Sequence, residues 1–237
     1  MNFPSALDYK NIFRFTSFLA AVFSLNLVLT ACSRPEFSRA EFVLGTICSV
    51  TLYDQGSSRI YNEIFSRIRE IENVMSVKIP ASNISRVNAS AGIAPVQVHE
   101  DLYKVIERAL YFAKLSGVAF DPTVGPLVSL WDIMGENPRV PLQTEIEEIL
   151  PLIAWQDIEL DFYNNSVFLK RTGMALDLGG IAKGYAADEA AVIIKRAGIT
   201  QAIIDLGGNI ITLGIKKDKT LWRVGIQNPN GQRGEFA

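Results

Sequence analysis

Histidine is almost absent from this 237-residue chain, and cysteine is nearly so: His99 stands alone, and Cys32 and Cys48 are the only thiols. With one imidazole, a histidine-rich metal site cannot form, and a Ser-His-Asp triad can only be built around residue 99. His99, beside Glu100 ahead of an apolar-periodic run, reads as a surface or helix-capping residue. An excess of positive charge is missing too. Lys and Arg total 23 against 25 Asp and Glu, for a net charge of −2. No basic run or basic-aromatic interleaving occurs, which argues against nucleic acid as a partner.

No apolar run is long enough for a membrane span. The best, Phe15 to Leu29, is interrupted by Thr16, Ser17, Ser24 and Asn26. Lys10 and Arg14 precede it and Leu29-Thr-Ala-Cys32 follows, the layout of a secretory signal with small residues before the cut. Leu-Thr-Ala-Cys resembles a bacterial lipobox, which makes residues 1–31 a signal peptide and Cys32 a lipidated first residue. An ordinary signal peptide, or an anchoring helix with Cys32 incidental, is the other reading. If Cys32 carries lipid, Cys48 has no disulfide partner and reads as a packing residue within the strand-like run Thr46 to Leu52. Residues 32–41 read as a polar tether. Residues 42–237 are long enough for one domain with one core.

What the chain does have is the stretch Met174-Ala-Leu-Asp-Leu-Gly-Gly-Ile-Ala-Lys-Gly-Tyr-Ala-Ala-Asp188. Met174 to Leu178 reads as a short buried strand, and Gly179-Gly180 as a tight turn. Ala182, Ala186, Ala190, Ile193 and Ala197 recur at helical spacing until Gly198 stops the helix. A helix N-terminus just past a strand end favours an anion such as phosphate, and Lys183 adds positive charge in the first turn. Asp177, at the end of an apolar run, needs a hydrogen bond, a counter-charge or a metal. The plain alternative is a turn with Asp177 as a cap and Lys183 solvated. Two observations weigh against it: Asp-Leu-Gly-Gly occurs twice, at 177–180 and 205–208, and one helix separates the copies. Strand, glycine turn, helix and a later acid, Asp205, also approximate a Rossmann fingerprint, although Gly179, Gly180 and Gly184 give the wrong spacing.

Elsewhere, Phe42 to Tyr53 reads as one strand with a kink or bulge at Gly45-Thr46. Ile60, Ile64, Ile68, Ile71 and Met75 form a helical stripe, and Leu102 to Ala113 a second one ended by Gly117. Ser76 to Gly92 reads as loop. Val118 to Pro122 reads as a strand end entering a turn that leaves the Asp121 carboxylate free for a hydroxyl-rich ligand. Val124 to Trp131 reads as core, Gly135 to Pro141 as an exposed loop, Thr144 to Leu150 as a short helix and Val167 to Lys170 as a strand. Ile210 to Gly214 and Leu221 to Ile226, flanking the polar turn 215–219, read as a β-hairpin.

The central segment resembles the signature of the FAD:protein FMN transferases, the ApbE-like flavin transferases. Four further motifs stand in that family's order: Leu44-Gly45-Thr46; Met75-Ser76 with Ser82-Asn-Ile-Ser-Arg-Val-Asn88; Phe120-Asp-Pro-Thr-Val-Gly-Pro-Leu-Val-Ser-Leu-Trp131; and Trp222-Arg-Val-Gly-Ile-Gln-Asn-Pro229. The resemblance implies an α+β fold, ApbE/T-fold-like, with a mainly antiparallel sheet and packed helices. It implies a Mg²⁺-dependent transfer of FMN from FAD to a Ser/Thr hydroxyl of a target protein, with hydrolysis of FAD to FMN and AMP as a close variant. Acceptors would be extracytoplasmic membrane flavoprotein subunits, with the chain held in the bacterial envelope by lipid on Cys32 and facing the periplasm. By the same resemblance Asp177 and Lys183 contact FAD and carry the chemistry. Leu44, Lys78, Ala119, Phe120 and Asp121 complete the FAD contacts, and Gly180 offers its carbonyl to the metal. The family's aromatic residue is a lysine at position 78. Its later motifs, including the side-chain magnesium ligands, find no match before Ala237, so the C-terminal part of the fold is expected to be missing. A non-catalytic FAD-binding lipoprotein is the other reading.

Overall fold

A computed structural model describes residues 38–235, apart from Gln55, Val118, Met134 and Arg233. The signal segment, Cys32 and residues 33–37 lie outside the described residues.

The first departure from the sequence reading is at the start. Strand β1 (Ser38–Val43) and strand β2 (Thr46–Leu52) pair antiparallel from Ser38↔Thr51 to Val43↔Thr46. What read as one kinked strand is therefore a hairpin, and the last four residues assigned to the tether belong to the sheet. Leu44 and Gly45, at φ 56° and 69°, form the two-residue turn, the left-handed conformation that matches strand twist in tight hairpins. β1 is also fastened to the next helix, α1 (Ser58–Met75). Arg39 donates to Asn62 at 2.6 Å, and Arg69 pairs with Glu41. Polarity made this segment look like a tether; those charges instead face partners on α1.

α1 buries Ile64, Ile68, Ile71 and Met75 of the expected stripe together with Tyr61 and Phe65, while Ile60 is half-buried, and Ser57 caps its start. The loop expected over 76–92 contains a helix, α2 (Asn83–Ala89), capped by Ser82. After β3 (Val96–Gln97), helix α3 (Glu100–Ser116) opens with His99 Nδ1 accepting from the Asp101 amide at 3.2 Å and closes on left-handed Gly117. His99 is the capping residue that the sequence implied. Val124 to Trp131, expected as core, is mostly the short helix α4 (Gly125–Trp131), of which only Gly125 is buried. Helix α5 (Gln143–Ile149) follows. Strands β4 (Ile158–Asp161), which the sequence did not flag, and β5 (Ser166–Leu169) join β3 in a three-stranded antiparallel sheet, order β3-β5-β4.

Helix α6 (Ala182–Arg196) and strands β6 (Ala202–Leu206) and β7 (Asn209–Leu213) complete a four-stranded sheet, order β1-β2-β6-β7, all antiparallel. One face, with Cys48, Val50, Leu52, Ile204 and Leu206, is buried in the same core as α1 and α6. β7 pairs with β6, not with 221–226 as expected. Residues 221–226 form no strand; Trp222 instead stacks on Tyr53, with ring centroids 4.9 Å apart, and donates to Gly214 O at 2.9 Å. The Rossmann alternative fails here, because it needs parallel strands and both neighbours of β6 are antiparallel. No described helix is long and apolar enough to cross a membrane.

Candidate functional site

Met174 to Leu178, expected as a strand, belongs to neither sheet. It is extended, with Met174, Leu176 and Leu178 buried in alternation, and a single parallel bridge joins Ala175 to Val124. Its backbone groups find other partners, as buried amides must. Gly125 N–H donates to Ala175 O at 3.2 Å and Asp177 N–H to Pro122 O at 2.9 Å. Leu176 is served by one side chain: Asn88 Oδ1 accepts from its N–H at 2.8 Å and Asn88 Nδ2 donates to its carbonyl at 3.0 Å.

Past this segment, Asp177 Oδ1 accepts from the Gly179 amide at 2.8 Å. The turn is closed by Ile181 and Ala182 N–H groups donating to Leu178 O. Gly179 and Gly180 are exposed. The amides of Gly180, Lys183 and Gly184 find no acceptor among the described residues; those of Lys183 and Gly184 are donors that a helix start leaves without an intrahelical partner. Lys183 is half-buried and its ammonium has no ion pair with a described residue. Phe120 closes one side: a Cβ on Gly180 would stand 3.2 Å from the ring. The glycine lets the turn lie directly against the aromatic.

Asp121 differs from the expectation of a free carboxylate. Oδ1 accepts from the Thr123 amide at 2.8 Å and hydroxyl at 2.6 Å, and Oδ2 accepts from the Trp155 amide at 3.2 Å. The buried Thr123 hydroxyl also accepts from Ala154 N–H at 2.8 Å. Pro122 keeps the chain out of helix, as read, but the carboxylate is used to tie residues 121–123 to 154–155.

The second tetrad has different geometry. Gly207 and Gly208 take φ 65° and 90° in the β6–β7 turn, and Asp205 Oδ1 accepts from Gly208 N–H at 2.7 Å; Gly179 and Gly180 need no positive φ. Identical sequences thus make a hairpin turn and a helix start. Gly207 packs on Thr46, next to the Leu44-Gly45 turn. The Cys48 thiol is pushed up to about 11, first by burial, then by Asp205, while Lys183 acts in the opposite direction. Gly207, Asp205 and the Leu44-Gly45 turn are thus grouped near the start of β2. Ala119 lies beside Phe120, and Lys78 lies in the loop between α1 and α2, the helix whose Asn88 reaches Leu176.

A network that the sequence did not reveal holds α6 in place. Arg67 donates twice to Asp101, at 2.7 and 2.8 Å, and once to Glu189 at 2.9 Å; Tyr185 OH donates to Asp101 at 2.6 Å. Asp101 is 2% exposed. Burial alone would raise its carboxyl, but the hydrogen bonds from Arg67 and then Tyr185 hold it below the usual range. The same contacts raise Arg67, and burial followed by Asp101 raises Tyr185. The only sequence signal was the spacing of Tyr185 and Glu189, one turn apart on α6.

These features define an α+β protein with a helix start whose Lys183 and Gly184 amides lack acceptors among the described residues, an exposed glycine turn and a neighbouring aromatic. Residues 44–237 match the model of the ApbE family. The chain is 37% identical over 213 residues to the FAD:protein FMN transferase of Treponema pallidum (83% of this chain, 59% of the relative) and 33% identical over 193 residues to that of Klebsiella pneumoniae (81% and 59%). The crystal structure of the ApbE protein of Thermotoga maritima superposes with a TM-score of 0.75 at 33% identity, over 82% of this chain and 64% of that one. The flavin transferase ApbE of Vibrio cholerae gives 0.74 at 26%, over 81% and 63%. The chain belongs to the ApbE family. It spans 59% of the length of the Treponema pallidum and Klebsiella pneumoniae transferases.

Proposed function

We propose that this chain binds FAD at the Asp177–Lys183 turn and transfers its FMN moiety to a Ser/Thr hydroxyl of a partner protein, releasing AMP. The observation that carries this reading is the turn into α6, where the amides of Gly180, Lys183 and Gly184 and the Lys183 ammonium have no partner among the described residues, close to Asp177 and the Phe120 ring. A pyrophosphate carries the charge this arrangement accepts, and Phe120 offers apolar surface to a planar ring. The names of the relatives support the choice of ligand.

In the reaction, the acceptor oxygen attacks the FMN phosphorus, the P–O bond to AMP breaks, and AMP departs with the bridging oxygen. The hydroxyl proton passes to a base. Asp177 has the position for that role, because only one of its oxygens is engaged by a described residue. Lys183 and the α6 amides offset the charge on the phosphates, the contribution that dominates phosphoryl transfer. With water as acceptor, the same site gives FMN and AMP.

Magnesium is part of this proposal, but the residues described do not fit it. Gly180 offers one carbonyl, and no group of three or more His, Cys, Asp or Glu stands together among the described residues; the ion needs near-octahedral oxygen ligation. That donor set favours a second reading, in which FAD is held without turnover.

The deciding experiment incubates the full chain with FAD, with and without Mg²⁺, and separates the nucleotides by chromatography. AMP and FMN release supports catalysis. Retained intact FAD supports the binding module, and failure to retain FAD refutes both. Attachment to a bacterial envelope membrane through lipid on Cys32, facing the periplasm, belongs to the same proposal, as do membrane flavoprotein subunits as acceptors. Palmitate labelling that persists in Cys32→Ser would exclude the anchor.

A further inference from the structure

We propose that Asn88 is a positioning residue for Asp177, acting through the backbone of Leu176. The proposal deepens the flavin reading and rests on it for its ligand.

The segment that delivers Asp177 has no strand beside it at Leu176. That residue is fully buried, so an unpaired N–H or carbonyl there would be left in an apolar environment. Asn88 supplies both missing partners from a single planar group, at 2.8 and 3.0 Å. The carboxamide does for one residue what a neighbouring strand does for a ladder, and only Asn or Gln combines donor and acceptor in this way. Leu176 is bonded to Asp177, whose own amide goes to Pro122 O. The carboxylate is thus held between Asn88 on one side and the Phe120-Asp121-Pro122 turn on the other.

Asn88 is itself well anchored. It lies on α2, which starts from the buried Ser82 cap; Asn83 Oδ1 accepts from His99 N–H at 2.8 Å, and just past α2 Gly92 N–H donates to Leu169 O at 2.8 Å. α2 is therefore tied to the start of α3 and to β5. One carboxamide joins the 76–92 stretch, which carries Lys78, to the Asp177 segment, so the two stretches keep a fixed relation. Loss of that link would let 174–180 move while the rest of the core stays packed.

The test compares the full chain with Asn88→Asp, which keeps the acceptor and loses the donor, with Asn88→Leu, which loses both, and with Val167→Ala. Val167 is buried in β5, and its truncation serves as a control for general destabilisation. Amide hydrogen exchange without ligand is measured alongside FAD titration by flavin fluorescence and thermal melting. The expected result is exchange at least tenfold faster in 174–180 and FAD binding at least tenfold weaker in both Asn88 variants. Val167→Ala should lower the melting temperature with neither effect. Exchange in 174–180 within twofold of the unsubstituted chain overturns the proposal. So does a loss of FAD affinity that Val167→Ala reproduces at an equal melting temperature. If the unsubstituted chain does not bind FAD, the flavin reading fails, and the exchange measurement alone decides the role of Asn88. Should Asn88→Leu not fold, Asn88→Asp carries the comparison.

Discussion

Replacing Asp101 with alanine tests how α6, and with it Lys183, is held in place. Asp101 is 2% exposed and receives two hydrogen bonds from Arg67 and one from Tyr185. Removing one side of a buried ion pair costs about 3–5 kcal/mol, because the remaining charge stays desolvated. Arg67 keeps Glu189 at 2.9 Å and a side chain 21% exposed, which places Asp101→Ala near the lower end, about 3 kcal/mol. At about 2–4 °C per kcal/mol for a domain of this size, the melting temperature should fall by roughly 6–12 °C. Urea unfolding followed by circular dichroism reads the free energy. The pair Arg67→Met with Asp101→Leu should cost much less than the two single changes added together. A loss under about 1 kcal/mol, or strict additivity in the double variant, would refute the argument. The pH dependence has a definite sign. The Asp101 carboxyl is depressed in the folded state, so its contribution is present above the unfolded value near ~4 and is lost as pH falls through the folded value. The stability gap between the unsubstituted chain and Asp101→Asn should therefore narrow below about pH 4.

Three further outcomes are expected. Gly207→Ala should destabilise by about 1–3 kcal/mol, because φ is +65° and the new Cβ would sit 2.5 Å from Thr46 Cγ2; Thr46→Ala should recover part of the loss in thermal melts. Lys183→Ala should weaken FAD binding by roughly 10–100-fold, the worth of a hydrogen bond to a charged group, and titration showing an unchanged dissociation constant would remove Lys183 from the site. The Cys48 thiol, raised to about 11 from 9.0, should resist thiol reagents near neutral pH in the folded chain. Its raised value means that its share of stability is complete below pH 9 and is lost as the pH rises toward 11, which alkaline melts of Cys48→Ala against the unsubstituted chain would show.

Helix periodicity was legible because a stripe at 3.6-residue spacing has few alternative explanations. α1, α3 and α6 fell where Ile64 to Met75, Leu102 to Ala113 and Ala182 to Ala197 placed them, and His99 and Gly198 marked a start and a stop. The five motifs in order, from Leu44-Gly45-Thr46 to Trp222–Pro229, were enough to imply an ApbE-like α+β fold with its antiparallel sheet. Strand limits were not legible, since apolar alternation does not say what lies alongside. Phe42 to Tyr53 hid a hairpin because Leu44 accepts a left-handed conformation that its side chain does not advertise. Met174 to Leu178 has the pattern of a strand, yet its partners are a carboxamide and two turns. The repeated Asp-Leu-Gly-Gly gave no hint that one copy would turn a hairpin and the other open a helix. The sequence by itself determined helices α1, α3 and α6 through periodicity and singled out Asp177, the Gly179-Gly180 turn and Lys183 through glycine placement, both of which are local; Gly180 as a metal position came from the family resemblance. Only the tertiary structure decided that Asp121 is used as a brace, that Asn88 replaces a strand, and that Arg67, Asp101 and Tyr185 meet. Those roles depend on which buried polar groups lack a partner, and that is settled only when distant segments pack.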